Sequence, residues 1–151
     1  MRKRKILVVD DEKVISDTVT LILQSRNYEV ITASNGSEGV MKARSEHPDL
    51  ILLDIMMPVM NGHDACAKLK EDKSTKKIPI LMLTGQGERD AVMKARLTGA
   101  DDYVLKPFTM ATLLTKINQQ LGQSQRMPKY RKLSWWQRLF RKFTGKNNSY
   151  M

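Results

Sequence analysis

The chain has 151 residues, 41% of them hydrophobic, and a formal net charge of +10, which suits one globular domain with a short appendage. It holds one cysteine and two histidines, which excludes an internal disulfide and leaves few ligands for a soft metal. The apolar run at 6–9 is too short for a signal peptide, and no stretch approaches the roughly 18 apolar residues of a spanning helix. We therefore expect a cytoplasmic protein.

The positive charge is concentrated at the C-terminal end. Residues 1–122 hold 18 Lys and Arg against 16 Asp and Glu, whereas residues 123–151 hold 8 Lys and Arg and no acid. This shift in composition predicts a domain at 1–122, a basic linker at 123–132 in which Pro128 discourages helix, and a basic tail at 133–151.

Five short apolar runs alternate with amphipathic segments along the domain. In chain order the runs occupy 5–10, 28–33, 49–54, 78–84 and 102–106. Three of them are almost wholly apolar, which is typical of strands buried on both faces of a parallel sheet. Between them apolar residues recur at three- and four-residue intervals, as they do in helices. The alternation predicts an α/β fold with a doubly wound, five-stranded parallel sheet.

Four of the five predicted strands end in polar side chains. Asp10 and Asp11 end the first, Asp54 the third, Thr84 the fourth and Lys106 the fifth. Ligands of open α/β sheets bind at the carboxyl ends of the strands. We therefore expect these side chains to form one site.

Three carboxylates at one edge of a sheet repel one another unless a cation shares the site. Oxygen ligands without histidine or cysteine select a hard divalent ion such as Mg²⁺. The sequence predicts Mg²⁺ held by Asp11, Asp54 and the backbone carbonyl of Met56, with Asp10 holding a bound water.

A carboxylate beside a metal is also a candidate nucleophile toward phosphorus. Asp54 suits this role because its strand is expected between the first and fourth strands, while Lys106 would compensate charge and the Thr84 hydroxyl would bind a phosphoryl oxygen. Simpler interpretations stay open: Asp10 and Asp11 as helix caps, Thr84 as an ordinary strand residue, and Lys106 as a solvated turn residue.

Four motifs, VVDDE, DLILLDIMMPVMNG, IPILMLTG and GADDYVLKPF, follow one another in this order within residues 4–122. Together they resemble the receiver domain of two-component response regulators, in particular the single-domain, chemotaxis-regulator type with a flavodoxin-like fold. The resemblance implies a phosphoacceptor at Asp54, Mg²⁺ bound through Asp10, Asp11 and Asp54, and contacts of Thr84 and Lys106 with the phosphoryl group. It also implies a sensor histidine kinase or phosphotransfer protein as donor, and a switch rather than an enzyme.

The resemblance further implies how such a switch changes. Thr84 would move toward the phosphoryl group, and the ring of Tyr103 would turn inward. Both movements would alter the surface of residues 88–121, where a downstream protein target would bind. A cis peptide bond is implied at Lys106-Pro107.

A rival class is the phosphohydrolases of the haloacid dehalogenase type, which also use an aspartate nucleophile with Mg²⁺, threonine and lysine. These enzymes need a second aspartate two residues after the nucleophile, and Met56 stands there. The chain also lacks a segment for a cap domain. A fast phosphatase is therefore not expected.

Residues 133–143, LSWWQRLFRKF, are amphipathic when placed on a helix. Five large apolar side chains share one face: Trp135, Trp136, Leu139, Phe140 and Phe143. The pattern predicts a short C-terminal amphipathic helix. It could lie on an anionic membrane surface at the inner membrane face, dock in a protein groove, or pack on the receiver.

Nucleic acid is a further candidate partner, because basic charge with aromatic rings can bind it nonspecifically. However, the 29 residues after Gly122 hold no recognisable helix-turn-helix, so sequence-specific DNA binding is not expected. The predicted function is a single-domain response regulator that signals through protein contacts. The alternatives are a nucleic-acid-binding regulator acting through the tail and a phosphate sink without its own output.

Overall fold

The computed structural model describes residues 2–85 and 98–123. In chain order the elements are β1 (Lys5–Val9), α1 (Lys13–Ser25), β2 (Glu29–Ala33), α2 (Gly36–Glu46), β3 (Leu50–Asp54), α3 (Gly62–Glu71), β4 (Ile80–Thr84), β5 (Asp102–Leu105) and α4 (Met110–Gln123). The strands form one parallel sheet in the order β2-β1-β3-β4-β5. The predicted doubly wound, five-stranded fold is confirmed.

The predicted tail helix, its docking residues and most of the predicted linker lie outside the described residues, as do residues 88–97 of the predicted target surface. The division into domain, linker and tail stays a prediction. Within the described ranges, no helix combines the length and the apolar character needed to cross a membrane.

Burial along the strands follows from their place in the sheet. Every residue of the central strands β3 and β4 is buried, whereas the edge strands β2 and β5 each expose at least one residue. A strand with neighbours on both sides and helices on both faces contacts no water, so the central strands are apolar throughout until Asp54 and Thr84.

Successive side chains of each strand point to opposite faces, so the sheet divides the core in two. Leu7 and Leu53 lie on the face covered by α2 and α3, while Ile6 and Leu52 lie on the face covered by α1 and α4. The division places α1 and α4 side by side over the same face.

The strand boundaries differ from prediction by one or two residues. β1 ends at Val9 and β5 at Leu105, so Asp10 and Lys106 stand just beyond the sheet. The fourth strand begins at Ile80, after Pro79, because proline lacks the N–H that a central strand needs. Asp10, Asp11 and Lys106 therefore lie in loops just beyond the sheet edge, whereas Asp54 and Thr84 are the last residues of their strands.

Candidate functional site

The three predicted acidic ligands lie together at the carboxyl edge of the sheet. β1 and β3 are neighbours with Val9 opposite Leu53, so the residues that follow them emerge side by side. Asp10, Asp11 and Asp54 each offer a carboxylate oxygen, and these oxygens all lie within 4.8 Å of one another. Asp10 and Asp54 are buried, whereas Asp11 is exposed.

Asp10 also has a structural role at the start of α1. Its Oδ1 accepts a hydrogen bond of 2.9 Å from the backbone N–H of Glu12, and its own N–H donates to the carbonyl of Ala33 at 3.1 Å. The N-cap of α1 is Glu12, and its side chain makes no capping hydrogen bond, so neither Asp10 nor Asp11 is the helix cap. Asp10 instead holds the turn before α1 with Oδ1, while Oδ2 lies 3.4 Å from Nζ of Lys106.

Lys106 brings the only cation that the described residues place against these acids. Its Nζ lies 3.3 Å from Oδ1 of Asp54, 3.4 Å from Oδ2 of Asp10 and 4.0 Å from Oε1 of Glu12. The Lys106-Pro107 bond is cis, as the resemblance implied. Burial lowers the pKa of Lys106, but the attraction of Asp54 and Asp10 outweighs it and the pKa is raised. The lysine is therefore protonated at neutral pH.

The pKa of Asp54 is raised to about 6. Burial is the largest cause, the negative charge of Asp10 adds to it with a smaller effect from Asp11, and Lys106 opposes it. A buried carboxylate among like charges holds its proton more tightly. Near neutral pH the positive charge of Lys106 therefore does not balance the negative charge of the three aspartates.

The donor set fits a hard divalent ion. All three side chains offer carboxylate oxygens, and Cys66 and His63 lie in α3, in which Cys66 is part of the core. Such sets favour Mg²⁺ or a similar ion that keeps part of its water shell. The Met56 carbonyl belongs to the same loop, two residues beyond Asp54, and the Met56 side chain is 74% exposed.

Thr84 ends the strand next to Asp54. Leu83 is the register partner of Asp54, so Thr84 lies one residue further toward the same edge. Its side chain is buried, and the hydroxyl donates to the carbonyl of Gly85 at 3.3 Å. The backbone N–H of Lys106 donates to the Thr84 carbonyl at 2.7 Å. Thr84 is thereby tied to the loop that carries the lysine.

Tyr103 lies on β5, the edge strand next to β4. Its ring is partly buried against the α2 and α3 face of the core, and its centroid is 5.7 Å from Nζ of Lys116. Burial raises the pKa of Tyr103, with a smaller contribution from Asp102. The predicted switch residue therefore stands between the sheet and the surface.

The amino-acid sequence does not indicate two neighbours of the site. Glu12 approaches Lys106 from the exposed start of α1, and Gly62 packs its backbone against the end of β3. The Asn61-Gly62 pair suggests a turn, but Asn61 instead caps α3 by accepting a hydrogen bond from the Asp64 N–H at 2.9 Å. A single sequence carries no signal for this close backbone approach.

Gly62 is needed because a side chain there would collide with β3. A Cβ at this position would lie 2.2 Å from the carbonyl oxygen of Asp54 and 2.8 Å from Cα of Ile55. The Gly62 N–H also donates to the Ile55 carbonyl at 2.8 Å. The end of β3 and the start of α3 are thus in direct backbone contact.

Gly62→Ala is expected to destabilise the protein by about 1 to 3 kcal/mol, the usual cost of overpacking a close contact. Urea unfolding measures the change. Gly122→Ala is the matched control, because no atom lies within 4 Å of a Cβ there and alanine is the better helix former. Equal stability of the two variants would contradict the contact described at Gly62.

The comparisons with known proteins agree with the fold and the motifs. A family model described as the response regulator receiver domain matches residues 6–118. The chain therefore belongs to the family of response regulator receiver domains, which act as phosphoacceptor switches in regulators rather than as enzymes. Such a domain implies a histidine kinase or phosphotransfer protein as its partner.

Two curated relatives are transcriptional regulators. RpaA of Synechocystis, a DNA-binding dual master transcriptional regulator, is 38% identical over 130 residues, which cover 86% of this chain and 54% of RpaA. PhoP of Bacillus subtilis, a regulator of alkaline phosphatase synthesis, is 43% identical over 123 residues, 81% of this chain and 50% of PhoP. The chain spans about half the length of the curated relatives it matches.

Solved receiver structures are matched almost from end to end. The chemotaxis response regulator CheY4 of Vibrio cholerae has a TM-score of 0.74 at 35% identity, covering 78% of this chain and 98% of CheY4. A CheY-like receiver domain protein of Methanospirillum hungatei has a TM-score of 0.77 at 32% identity, covering 82% of this chain and 97% of its own. The flavodoxin-like receiver fold is thus confirmed.

Proposed function

We propose that this chain is a response regulator that accepts a phosphoryl group on Asp54 and signals through changed protein contacts. One observation carries the proposal. The Asp54 carboxylate is buried at the end of a central strand, within 4.8 Å of the Asp10 and Asp11 oxygens and 3.3 Å from Nζ of Lys106. This arrangement holds a nucleophile, a set of metal ligands and a fixed cation in one place.

The proposed chemistry is an exchange of one bond at phosphorus. An oxygen of Asp54 forms the new P–O bond while the bond to the donor, a histidine nitrogen of the kinase or phosphotransfer protein, breaks and leaves its electron pair there. Lys106 compensates charge on the phosphoryl oxygens, and the Thr84 hydroxyl donates to one of them. Mg²⁺ bound by Asp10, Asp11, Asp54 and the Met56 carbonyl would supply further positive charge.

The proposed output is a change in the surface that a downstream protein binds. Thr84 and Tyr103 are the proposed switch residues, and residues 88–121 the proposed target surface. The hydrogen bond from the Lys106 N–H to Thr84 supports a link between the site and the loop that follows β5. The near-complete match to CheY4 supports action as a single-domain regulator.

Transcriptional regulation is the alternative favoured by the curated relatives, since RpaA is named as DNA-binding. In this chain it would act through the eight cations of residues 123–151. Salt-sensitive retention of the protein on DNA would support this alternative. A phosphate sink would accept phosphate but show no partner that depends on a beryllofluoride mimic of the phosphoryl group.

The tail is proposed as a docking element, with an anionic membrane surface as one destination. The five apolar side chains of 133–143 and the surrounding cations support this proposal. Sedimentation with anionic liposomes tests it. Equal pelleting of wild type and a variant with Phe140 and Phe143 changed to Ser would reject it.

The proposed phosphorylation is tested with acetyl phosphate, a small donor that requires no kinase. With Mg²⁺ we expect the intact mass to increase by one phosphoryl group, and hydroxylamine to remove it, because acyl phosphates are cleaved by this nucleophile. EDTA should prevent the labelling. Labelling that persists in EDTA or resists hydroxylamine would contradict an acyl phosphate formed with a metal.

A further inference from the structure

An apolar groove lies on the α1 and α4 face of the sheet, beside the candidate site. Val14, Ile15 and Val19 of α1 form one wall, and Pro107, Phe108 and Met110 form the other, around a volume of about 620 Å³. Lys106 lines the end of the groove nearest the acids. Val14 is 79% exposed, so the described residues leave this wall open to solvent.

We infer that the tail segment 133–143 docks in this groove. The inference gives the apolar face of the tail a different destination from the membrane surface named above, and it does not depend on phosphorylation of Asp54. It rests on three properties of the chain: the reach of the linker, the match of apolar faces and the match of charge.

The linker is long enough to return the tail to the groove. The structure describes the chain as far as Gln123, the last residue of α4, while the groove lies at Met110, its first. A helix of 14 residues is about 20 Å long at 1.5 Å per residue. Residues 124–132 can span about 30 Å when extended. The segment can therefore run back along α4 to the groove.

The tail carries an apolar face of the kind that such a groove binds. Trp135, Leu139 and Phe143 follow four-residue spacings, and Trp136 and Phe140 lie beside them. Amphipathic helices dock by anchors at these intervals. In the groove, Val14 and Ile15 of α1 line the wall one turn before Thr18 and Val19. Val14 is exposed whereas Val19 is buried, so the apolar surface open to an anchor lies at the Val14 end.

The charges of the two partners are opposite. Residues 11–18 at the start of α1 hold three acids and one lysine, whereas residues 123–151 hold eight cations and no acid. The side chains of Glu12 and Asp17 are 61% and 59% exposed, and each also faces a lysine, with Nζ of Lys106 4.0 Å from Glu12 and Nζ of Lys13 3.0 Å from Asp17. Complementary charge at the rim of an apolar contact orients the partner and disfavours other sites.

Tryptophan fluorescence tests the inference in the full chain, because the sequence has two tryptophans, Trp135 and Trp136, and both lie in the tail. We expect an emission maximum at shorter wavelength than that of free tryptophan, and slower quenching by acrylamide. Val14→Lys should shift the emission to longer wavelength and speed the quenching, since a cation in the groove repels the basic tail. Met41→Lys is the matched control, an exposed helix residue (63%) on the opposite face of the sheet.

A second variant pair tests the same contact from the tail side. Phe140→Ser should lengthen the emission wavelength as Val14→Lys does, whereas Gln137→Ser on the polar face should not. Urea unfolding and circular dichroism show whether each variant is folded. The inference would be overturned if Val14→Lys left the emission maximum unchanged. It would also be overturned if the wild-type emission maximum had the wavelength of free tryptophan.

Two further measurements distinguish docking in the groove from binding of the tail to a second copy of the chain or to lipid. A shift to shorter wavelength that disappears on dilution would assign the tail to a second copy of the chain and overturn docking within one molecule. A shift that appears only when vesicles of phosphatidylglycerol and phosphatidylcholine are added would assign it to lipid, and would also overturn the inference. A shift independent of concentration and present without vesicles supports it.

Discussion

Asp54→Asn is expected to abolish the labelling of the protein by acetyl phosphate in Mg²⁺. Asparagine keeps the shape of the side chain but has no anionic oxygen to attack phosphorus. Intact-mass spectrometry measures the loss. Asp64→Asn is the control, since Asp64 is an exposed acid in the first turn of α3, and it should be labelled as wild type is.

Asp54→Asn should abolish labelling but increase the stability of the folded protein. The pKa of Asp54 is raised from its ordinary value of 3.8 to about 6 in the folded protein. Because the folded state binds this proton more tightly, stability falls as the pH rises from about 4 to about 6, and the full cost is present above that range. In EDTA at pH 7.5 we therefore expect Asp54→Asn to be more stable than wild type by about 1 to 3 kcal/mol.

Urea unfolding at pH 4 and pH 7.5 measures this effect. The gain from Asp54→Asn should shrink at pH 4, where the native carboxyl is protonated. A gain of the same size at both pH values would show that charge at Asp54 is not its cause. Labelling of Asp54→Asn at the wild-type rate would remove Asp54 from the proposed site.

Lys106→Met is expected to slow phosphoryl transfer by about 100-fold, the usual effect of removing one group that stabilises developing charge. In EDTA it should also destabilise the protein by about 1 to 3 kcal/mol, because the buried carboxylates of Asp10 and Asp54 lose their half-buried cationic partner. Initial rates with acetyl phosphate and urea unfolding measure the two effects.

The same variant should bind Mg²⁺ more tightly. Three carboxylates with Lys106 leave a formal charge of −2, and without the lysine the charge is −3. One added unit of charge at this range strengthens cation binding by about 1 to 2 kcal/mol, or about tenfold. Isothermal titration with Mg²⁺ measures the affinity.

Lys116→Met is the matched control for Lys106→Met. Lys116 also pairs with a buried aspartate, with its Nζ 2.8 Å from Oδ2 of Asp102, but it lies outside the candidate site. We expect little change in transfer rate or Mg²⁺ affinity. Weaker Mg²⁺ binding in Lys106→Met would show that the lysine does not compete with the metal for the acids.

The sequence was sufficient to predict the sheet and the residues at its carboxyl edge. Buried parallel strands are apolar to their last residue, so a polar residue at a strand end is conspicuous, and the parallel arrangement brings all such ends to one edge. Asp10, Asp11, Asp54 and Lys106 were found in this way, and the structure brings them together.

Other features depend on three-dimensional contacts that no local pattern encodes. The need for glycine at position 62 arises from the carbonyl of Asp54, eight residues earlier, across a loop whose path the sequence does not specify. The groove arises from side chains of α1 and the segment before α4, about 90 residues apart in the chain. The periodicity of each helix predicts an apolar face but not which parts of it remain uncovered.

The backbone contact at Gly62 fixes the start of α3 against the end of β3. α3 has ten residues and is therefore about 15 Å long. At its first residue, Gly62, the backbone packs directly against the Asp54 carbonyl. At the other end Asp72 binds Arg44 of α2, with Oδ2 and Nε 2.7 Å apart. Because these contacts connect the end of β3 with α2 through α3, we expect a displacement of the Asp54 carbonyl to shift the ion pair between Asp72 and Arg44.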